Sequence, residues 1–221
     1  MENERRIDRT TSMGMDEHRL SDILHASQIK ATDIYETPPQ IIWIDNSTIA
    51  TLGNFSASTG KAKSKKTFNV SALVAASLAG KQVLNYRAHL PEGKQRILYV
   101  DTEQSRFHCR SVLERILRLA GLPTTTDPEN LDFFCLREYS PSVRIEVIDY
   151  ALRQQKGYGL VIIDGIRDLM LDINNAGESV EVINRMMEWS SRYDLHIHCV
   201  LHLNKGDNNV RGHIGTEMSN K

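Results

Sequence analysis

Short apolar runs alternate with segments of helical periodicity along most of the chain, and this alternation limits the possible folds more than any other feature. Four runs are apolar along almost their whole length: "RILYVD" (96–101), "LDFFCLR" (131–137), "YGLVIID" (158–164) and "IHCVLHLN" (197–204). Such runs are typical of strands buried on both faces of a sheet, whereas the segments between them repeat their apolar residues as helices do. We therefore predict an α/β fold with a mostly parallel, twisted sheet that helices cover on both faces.

Two further strands are predicted earlier in the chain, at "QIIWID" (40–45) and "TIATLGNF" (48–55), with a basic loop after the second one. The predicted core helices are, in chain order, 67–79, 104–121, 140–157 and 180–193. Gly80 is expected to end the first of these helices, and Ser140 is expected to cap the third. The segment "DINNAGES" (172–179) is interpreted as a polar loop before the last helix.

The beginning of the chain differs from the rest because it is polar and carries one amphipathic stretch, residues 16–35. The apolar residues that can share one helical face there are Leu20, Ile23, Leu24 and Ile29. The prolines of "ETPPQ" (36–40) then stop the helical pattern. We predict a polar N-terminal arm with an amphipathic helix over residues 1–38 and a core domain over residues 39–221.

The loop "GKAKSKKTF" (60–68) nearly matches the phosphate-binding pattern G-x-x-x-x-G-K-[ST], and it lies after a predicted strand and before a predicted helix. In that position, backbone amides and the helix N-terminus hold phosphate groups. Lys66 would reach the β and γ phosphates, and the Thr67 hydroxyl would bind Mg²⁺. Lys65 replaces the last glycine of the pattern, so its side chain either points outward or adds a phosphate contact. The predicted nucleotide-binding residues are Gly60, Lys61, Ala62, Lys63, Ser64, Lys65, Lys66, Thr67 and Phe68. The alternative is a basic turn exposed to solvent.

Two carboxylates follow predicted strands and are candidates for the chemistry at this loop. Asp164 ends an apolar strand, where a second ligand for Mg²⁺ is required, although an aspartate also ends strands for reasons of turn geometry. Glu103 in "YVDTEQS" is a candidate base that polarises the attacking water. The alternative for Glu103 is a carboxylate that accepts from helix N-terminal amides. Asp101 is a second candidate base, but we expect it to turn back into the sheet.

Three histidines of the last predicted strand, His196, His198 and His202, share parity and point to one side of that strand. A zinc site is disfavoured there, because no cysteine or carboxylate completes a ligand set. His202 lies at the end of the strand, where it is well placed to contact a γ-phosphate.

Together, "GKAKSKKTF", "YVDTEQS", "LVIIDGIRDL" and "HLNKGDNNVRG" resemble the RecA-type branch of P-loop ATPases over residues 41–221. The resemblance is closer to plasmid and phage replicative helicases and to RecA-like ATPases of mobile elements. It implies that Glu103 is the catalytic base and that His202 senses the γ-phosphate. It also implies that the loop with Lys205 and Arg211 contacts single-stranded DNA or the nucleotide of a neighbouring subunit. The family continues into further strands where this sequence ends, so we expect the core to lack the last strands.

The leading hypothesis is an ATPase that uses ATP and Mg²⁺, depends on DNA, and forms a homo-oligomeric ring or filament. It would act as a helicase or loader in the replication or mobilisation of a mobile genetic element. A second hypothesis is a nucleotide-dependent assembly or binding switch with little hydrolysis, which Lys65 favours. A third, a small-molecule kinase, is disfavoured because no arginine-rich lid segment is evident.

Composition limits the partners and the compartment. A net charge of −1 argues against coating nucleic acid through bulk charge, so a DNA contact must be local. No apolar run approaches the roughly 18–20 residues of a membrane span, and the N-terminus lacks the apolar core of a signal peptide. The three cysteines have no paired spacing, which is typical of free thiols in a reducing compartment. We expect a cytoplasmic protein without a membrane partner.

Overall fold

The computed structural model describes residues 16–61, 64–172, 174–202, 214, 215 and 218. Contacts divide the chain into two units, Met1–Thr37 and Pro38–Lys221. In the first unit, helix α1 covers Glu17–Ser27 and is capped by Asp16, whose side chain accepts a hydrogen bond from the Arg19 amide. The helix ends earlier than predicted because Gln28 is extended, so Ile29 lies outside it.

The second unit contains the strands and the remaining helices. The strands are β1 (Gln40–Ile44), β2 (Ser47–Thr51), β3 (Phe55–Gly60), β4 (Tyr86–Ala88), β5 (Arg96–Asp101), β6 (Leu131–Cys135), β7 (Tyr158–Asp164) and β8 (His196–His202). The helices are α2 (Lys66–Ala79), α3 (Arg106–Ala120), α4 (Pro141–Gln154) and α5 (Ala176–Tyr193), and a short 3-10 helix covers Ile166–Leu169. Within the described part of the chain, no helix is long and apolar enough to cross a membrane.

Five of the described strands form a parallel sheet in the order β3-β8-β7-β5-β6. Because side chains alternate along a strand, one face presents Tyr99 and Ile162 to α2 and α3. The other face presents Val100 and Ile163 to α4 and α5. The predicted α/β fold, with helices on both faces of a parallel sheet, is confirmed.

The beginning of the second unit differs from the prediction. β1 and β2 do not join the parallel sheet but form a separate antiparallel sheet with β4, in the order β2-β1-β4. The predicted strand 48–55 is interrupted at Gly53, which has a φ of 75°, and the strand that enters the basic loop is β3. The sequence of β3, "FSASTG", has few apolar residues, which explains why its pattern did not stand out.

The start of α5 differs from the prediction, and at α4 the hydrogen bond of the cap differs. α5 begins inside the predicted polar loop, because the Asn175 side chain caps it by accepting from the amides of Gly177 and Glu178. At α4, Ser140 occupies the cap position as predicted, but its hydroxyl pairs with the Ser142 hydroxyl instead of a backbone amide. Gly80 ends α2 in a left-handed conformation, which confirms that prediction.

Candidate functional site

The strand order places the candidate residues side by side along the carboxyl edge of the parallel sheet. β8 lies between β3 and β7, so His202 is in register with Gly60 and Val200 is in register with Asp164. On the other side of β7, Asp164 is in register with Asp101 of β5. Ligands of parallel α/β sheets bind beyond this edge.

An open cavity of about 550 Å³ lies at this edge, which is within the usual size range of small-molecule sites. It is lined by Ser64, Lys65, Lys66, Thr67, Phe68, Glu103, Gln104, Arg115, Asp164, Val200 and His202. The structure therefore brings the second half of the basic loop together with both candidate carboxylates and with the histidine that ends β8. Four of the predicted site residues, Ala62, Lys63, Lys205 and Arg211, lie outside the described residues.

The basic loop has a backbone geometry that fits phosphate. Lys65 takes the left-handed conformation at the start of α2, with a φ of 62°, and its side chain is exposed. No side chain of the described residues caps the first turn of α2. The Phe68 amide donates to the Lys65 carbonyl, so the amides that an anion would use there are those of Lys66 and Thr67. A Cβ atom built on Gly60 would come within 2.5 Å of the Ser64 hydroxyl oxygen, so a larger residue at this position would require the Ser64 side chain to move.

Lys66 is folded back onto the loop that it would use to hold a phosphate. Its Nζ donates to the carbonyl oxygens of Gly60 at 2.8 Å and Lys61 at 2.9 Å. Burial lowers the pKa of Lys66, and the nearby carboxylates of Glu103 and Asp164 partly oppose that shift. The ammonium thus lies next to the cavity, ready to exchange carbonyl partners for phosphate oxygens.

Asp164 is almost completely buried, and its Oδ2 atom accepts a hydrogen bond from the Tyr99 hydroxyl at 3.0 Å. Burial raises the pKa of Asp164 to about 7, and the neighbouring Asp101 carboxylate adds to the rise. The Thr67 hydroxyl and the Asp164 carboxylate line the same cavity and are hard oxygen ligands of the kind that Mg²⁺ prefers. These residues therefore fit a magnesium ion bound with a nucleotide.

Asp101 and Glu103, the two candidate bases, have different surroundings. Asp101 is fully buried, and its Oδ1 accepts from the amides of Glu103 and Gln104 at 3.0 and 2.7 Å. These two amides belong to the loop before α3, and Asp101 satisfies them. Glu103 instead extends into the cavity, where its carboxylate oxygens lie 3.2 and 3.3 Å from Nε2 of His202.

Gln104 and Arg115 line the cavity although the sequence did not indicate them as site residues. Gln104 donates through Nε2 to Asp101, so it supports the loop that carries Glu103. Arg115 lies on α3 between the buried residues Val112 and Ile116, which places a cation beside the apolar stripe of the helix. The position of Arg115 beside the apolar residues of this helix is the sequence feature that could have indicated it.

His196 and His198 are buried and do not line the cavity. His196 bonds through its ring nitrogens to the Thr51 carbonyl and the Ser56 hydroxyl, and His198 bonds to the hydroxyls of Ser56 and Ser58. Burial lowers the pKa of His196 to about 4 and that of His198 to about 3, so both rings are neutral at neutral pH. Their role is therefore structural, in the pairing of β3 with β8.

Comparison with known families identifies the class of protein. A family model described as an AAA domain matches residues 20–208, which is most of the chain. The chain therefore belongs to the AAA domain family of P-loop ATPases. No match was found among curated proteins. The prediction of a P-loop ATPase is confirmed, while the narrower resemblance to helicases of mobile elements stays a prediction.

Proposed function

We propose that this protein binds ATP together with Mg²⁺ in the cavity and hydrolyses it. The observation that carries the proposal is the gathering of Lys66, Thr67, Asp164 and Glu103 around one cavity at the carboxyl edge of the sheet. Membership of the AAA domain family supports nucleotide binding. Hydrolysis is our inference from the position of Glu103.

Each of these side chains has a distinct task in the proposed reaction. The Lys66 ammonium and the first-turn amides of α2 would hold the phosphates. Thr67 and Asp164 would hold Mg²⁺, which neutralises charge on the β and γ phosphates when bound. Glu103 would accept a proton from water while the water oxygen bonds to the γ-phosphorus and the bond to ADP breaks.

The contact between His202 and Glu103 supports a sensor role for the histidine. Nε2 of His202 lies within hydrogen-bond distance of both Glu103 oxygens. A γ-phosphate in the cavity would compete for the same nitrogen, because both are anionic oxygen acceptors. Binding of ATP would thereby release the Glu103 carboxylate for the attacking water.

We further propose that hydrolysis depends on single-stranded DNA and occurs in a homo-oligomeric ring or filament. This protein would then act as a cytoplasmic helicase or loader in the replication or mobilisation of a mobile genetic element. The support for this step is the resemblance of the four motifs, above all the segment with Lys205 and Arg211. A loop with two cations provides the local phosphate contacts that a chain of net charge −1 needs.

A second candidate function is a nucleotide-dependent switch with little hydrolysis. Two observations favour it. The backbone of Lys65 holds a conformation that a residue with a side chain rarely adopts, and the Glu103 carboxylate is in contact with His202. In that case the γ-phosphate would change the shape of the protein, and phosphate release would be slow.

Binding and turnover of ATP by the full chain separate the two functions. We expect Lys66→Ala to lose nucleotide binding, because it removes the ammonium that faces the phosphates. Glu103→Gln should bind ATP normally but release phosphate at least about 100-fold more slowly, since the amide cannot accept the proton. Single-stranded DNA should increase the turnover of the wild type.

Glu129→Gln is the matched control, because it removes an exposed carboxylate on the turn before β6. It should behave as the wild type in binding and in turnover. Equal phosphate release by the wild type and Glu103→Gln would contradict the role of Glu103. Tight binding with no release by either protein would favour the switch.

A further inference from the structure

Tyr99 occupies a position directly behind the proposed metal ligand. It lies on β5 in register with Ile162 of β7, so its side chain and that of Asp164, two residues further along β7, share one face of the sheet. The side chain of Tyr99 is completely buried, and its hydroxyl donates to Oδ2 of Asp164 at 3.0 Å.

The ring of Tyr99 has a fixed place in the sheet. Phe133 of β6 is in register with Tyr99, and the two rings stack with centroids 4.3 Å apart and planes 8° apart. Such stacking restricts rotation of the ring, because a rotated ring would lose contact with Phe133. The direction of the hydroxyl is therefore determined by the packing between β5 and β6.

The hydrogen bond from Tyr99 uses one carboxylate oxygen of Asp164 and leaves the other oxygen for a ligand in the cavity. Among the residues that the structure describes, the Tyr99 hydroxyl is the donor seen at the Asp164 carboxylate, and it acts on Oδ2. Asp164 also lines the cavity together with Thr67. Oδ1 then remains for the ligands of the cavity, and the carboxylate cannot rotate without breaking the bond to Tyr99.

We propose that Tyr99 is a positioning residue for the metal ion: its hydroxyl fixes the orientation of Asp164 and so determines how tightly Mg²⁺ is held with the nucleotide. The inference rests on the proposed function, because it assumes that Asp164 is a ligand of this metal. Residues that orient a metal ligand typically contribute about 10–100-fold to metal affinity. Tyr99 would have no contact with the nucleotide itself.

Tyr99→Phe tests the inference, because phenylalanine keeps the ring that stacks on Phe133 and removes only the hydroxyl. Binding of a fluorescent ADP analogue to the full chain is measured while Mg²⁺ is titrated, and again in EDTA. We expect the Mg²⁺ concentration for half-maximal binding to rise about 10–100-fold in the variant. Binding in EDTA should equal that of the wild type, since the phosphate loop is unchanged.

The chain offers a matched control at the opposite end of the same sheet. The Tyr158 hydroxyl donates to Oδ2 of Asp132 at 2.6 Å, and Tyr158 is also buried. Tyr158→Phe therefore removes the same kind of hydrogen bond far from the cavity. It should lower the melting temperature but leave the Mg²⁺ dependence as in the wild type, which separates a loss of stability from a loss of positioning.

Phe133→Leu provides a second, independent variant in case Tyr99→Phe fails to fold. It keeps the Tyr99 hydroxyl but removes the ring that restricts it, so we expect a smaller rise in the half-maximal Mg²⁺ concentration. A Tyr99→Phe protein with the Mg²⁺ dependence of the wild type would overturn the inference. If Tyr99→Phe does not fold, a Phe133→Leu protein with the half-maximal Mg²⁺ concentration of the wild type would overturn the inference. A wild type that binds the analogue without any Mg²⁺ dependence would overturn the proposed metal site as well.

Discussion

Lys65 takes the backbone conformation that the phosphate-loop pattern reserves for glycine, with φ of 62° and ψ of 25°. Its side chain is exposed and lies in a loop with three other lysines in the sequence "GKAKSKKTF". Lys65 also lines the cavity, so an outward side chain and a phosphate contact both stay predictions. The backbone of Lys65 keeps the shape of the loop but is strained, because left-handed geometry brings Cβ close to the backbone.

Replacing Lys65 should change stability according to backbone freedom and not according to charge. We expect Lys65→Gly to raise the free energy of unfolding by about 1 kcal/mol, because glycine adopts this conformation without strain. Lys65→Ala removes the same charge but keeps Cβ, so it should unfold as the wild type does. Urea denaturation without nucleotide measures both. Equal gains for both variants would mean that relief of charge repulsion, and not of strain, is responsible.

β3 and β8 are joined by a chain of hydrogen bonds whose direction follows from simple bonding rules. The Thr51 carbonyl can only accept, so Nδ1 of His196 carries the proton and Nε2 accepts from the Ser56 hydroxyl. The Ser56 oxygen then accepts from Nδ1 of His198, and Nε2 of His198 accepts from the Ser58 hydroxyl. Every ring is neutral in this arrangement. These hydrogen bonds link β3, which enters the phosphate loop, to β8, which ends at His202.

These hydrogen bonds between neutral histidines predict that the protein loses stability in mild acid. The folded protein holds the pKa of His196 at about 4 and that of His198 at about 3, whereas an unfolded histidine titrates near 6.5. As the pH falls, the histidines of the unfolded state bind protons before those of the folded state. The contribution of the two neutral histidines to the free energy of unfolding is therefore complete above pH 6.5 and is lost as the pH falls towards their pKa values in the folded protein. Each histidine contributes a slope of about 1.4 kcal/mol per pH unit within that window.

Urea denaturation between pH 7.5 and 5 measures this slope. His198→Gln should lower stability at pH 7.5 and flatten the decline below pH 6.5, since one of the two titrating groups is removed. His108→Gln removes an exposed histidine on α3 and serves as the control with the slope of the wild type. Asp164, with its pKa raised to about 7, gives a slope of opposite sign that all three proteins share. If the stability of His198→Gln depends on pH as that of the wild type does, the proposal that both buried histidines are neutral is contradicted.

Across the whole molecule, the two units differ in how their apolar residues are used. Both hydrophobic clusters of the described residues lie in the unit that begins at Pro38. Helix α1 of the first unit has no buried residue, and its Leu24 side chain is 71% exposed. Apolar side chains exposed along one helix are a common feature of surfaces that bind a protein partner. In the proposed oligomer, that partner is a second copy of this chain.

A chain that begins at residue 38 should therefore keep its fold and its nucleotide site but lose self-association. Sedimentation with ATP and Mg²⁺ measures assembly, and the fluorescent ADP analogue measures binding. Leu24→Glu in the full chain should weaken assembly in the same way, because it places a charge on the apolar face of α1. The matched control is Glu17→Gln on the same helix. Assembly of the shortened chain at the concentration of the wild type would contradict the role of α1.

Some features of this protein were predictable from short stretches of sequence. The bounds of β5 and β7 agree with the predicted runs at 96–101 and 158–164, because a strand buried on both faces needs apolar side chains at almost every position. The end of α2 at Gly80 follows from the left-handed conformation that glycine adopts freely. Glu103 and Asp164 were recognisable as candidate site residues because they follow such strands at the end where parallel sheets bind ligands, and both line the cavity.

Contacts between distant segments were decided by the order of the strands. Nothing local in the sequence indicates that β8 lies between β3 and β7, yet this order brings His202 to Glu103. The same holds for Tyr99 and Asp164, which meet because β5 and β7 are neighbours in a particular register. Periodicity and capping act within one element, so the sequence by itself determined the elements and the residue types at their ends. Pairing depends on which buried faces fit together in the complete core, and only the tertiary structure decided which of those residues share a site.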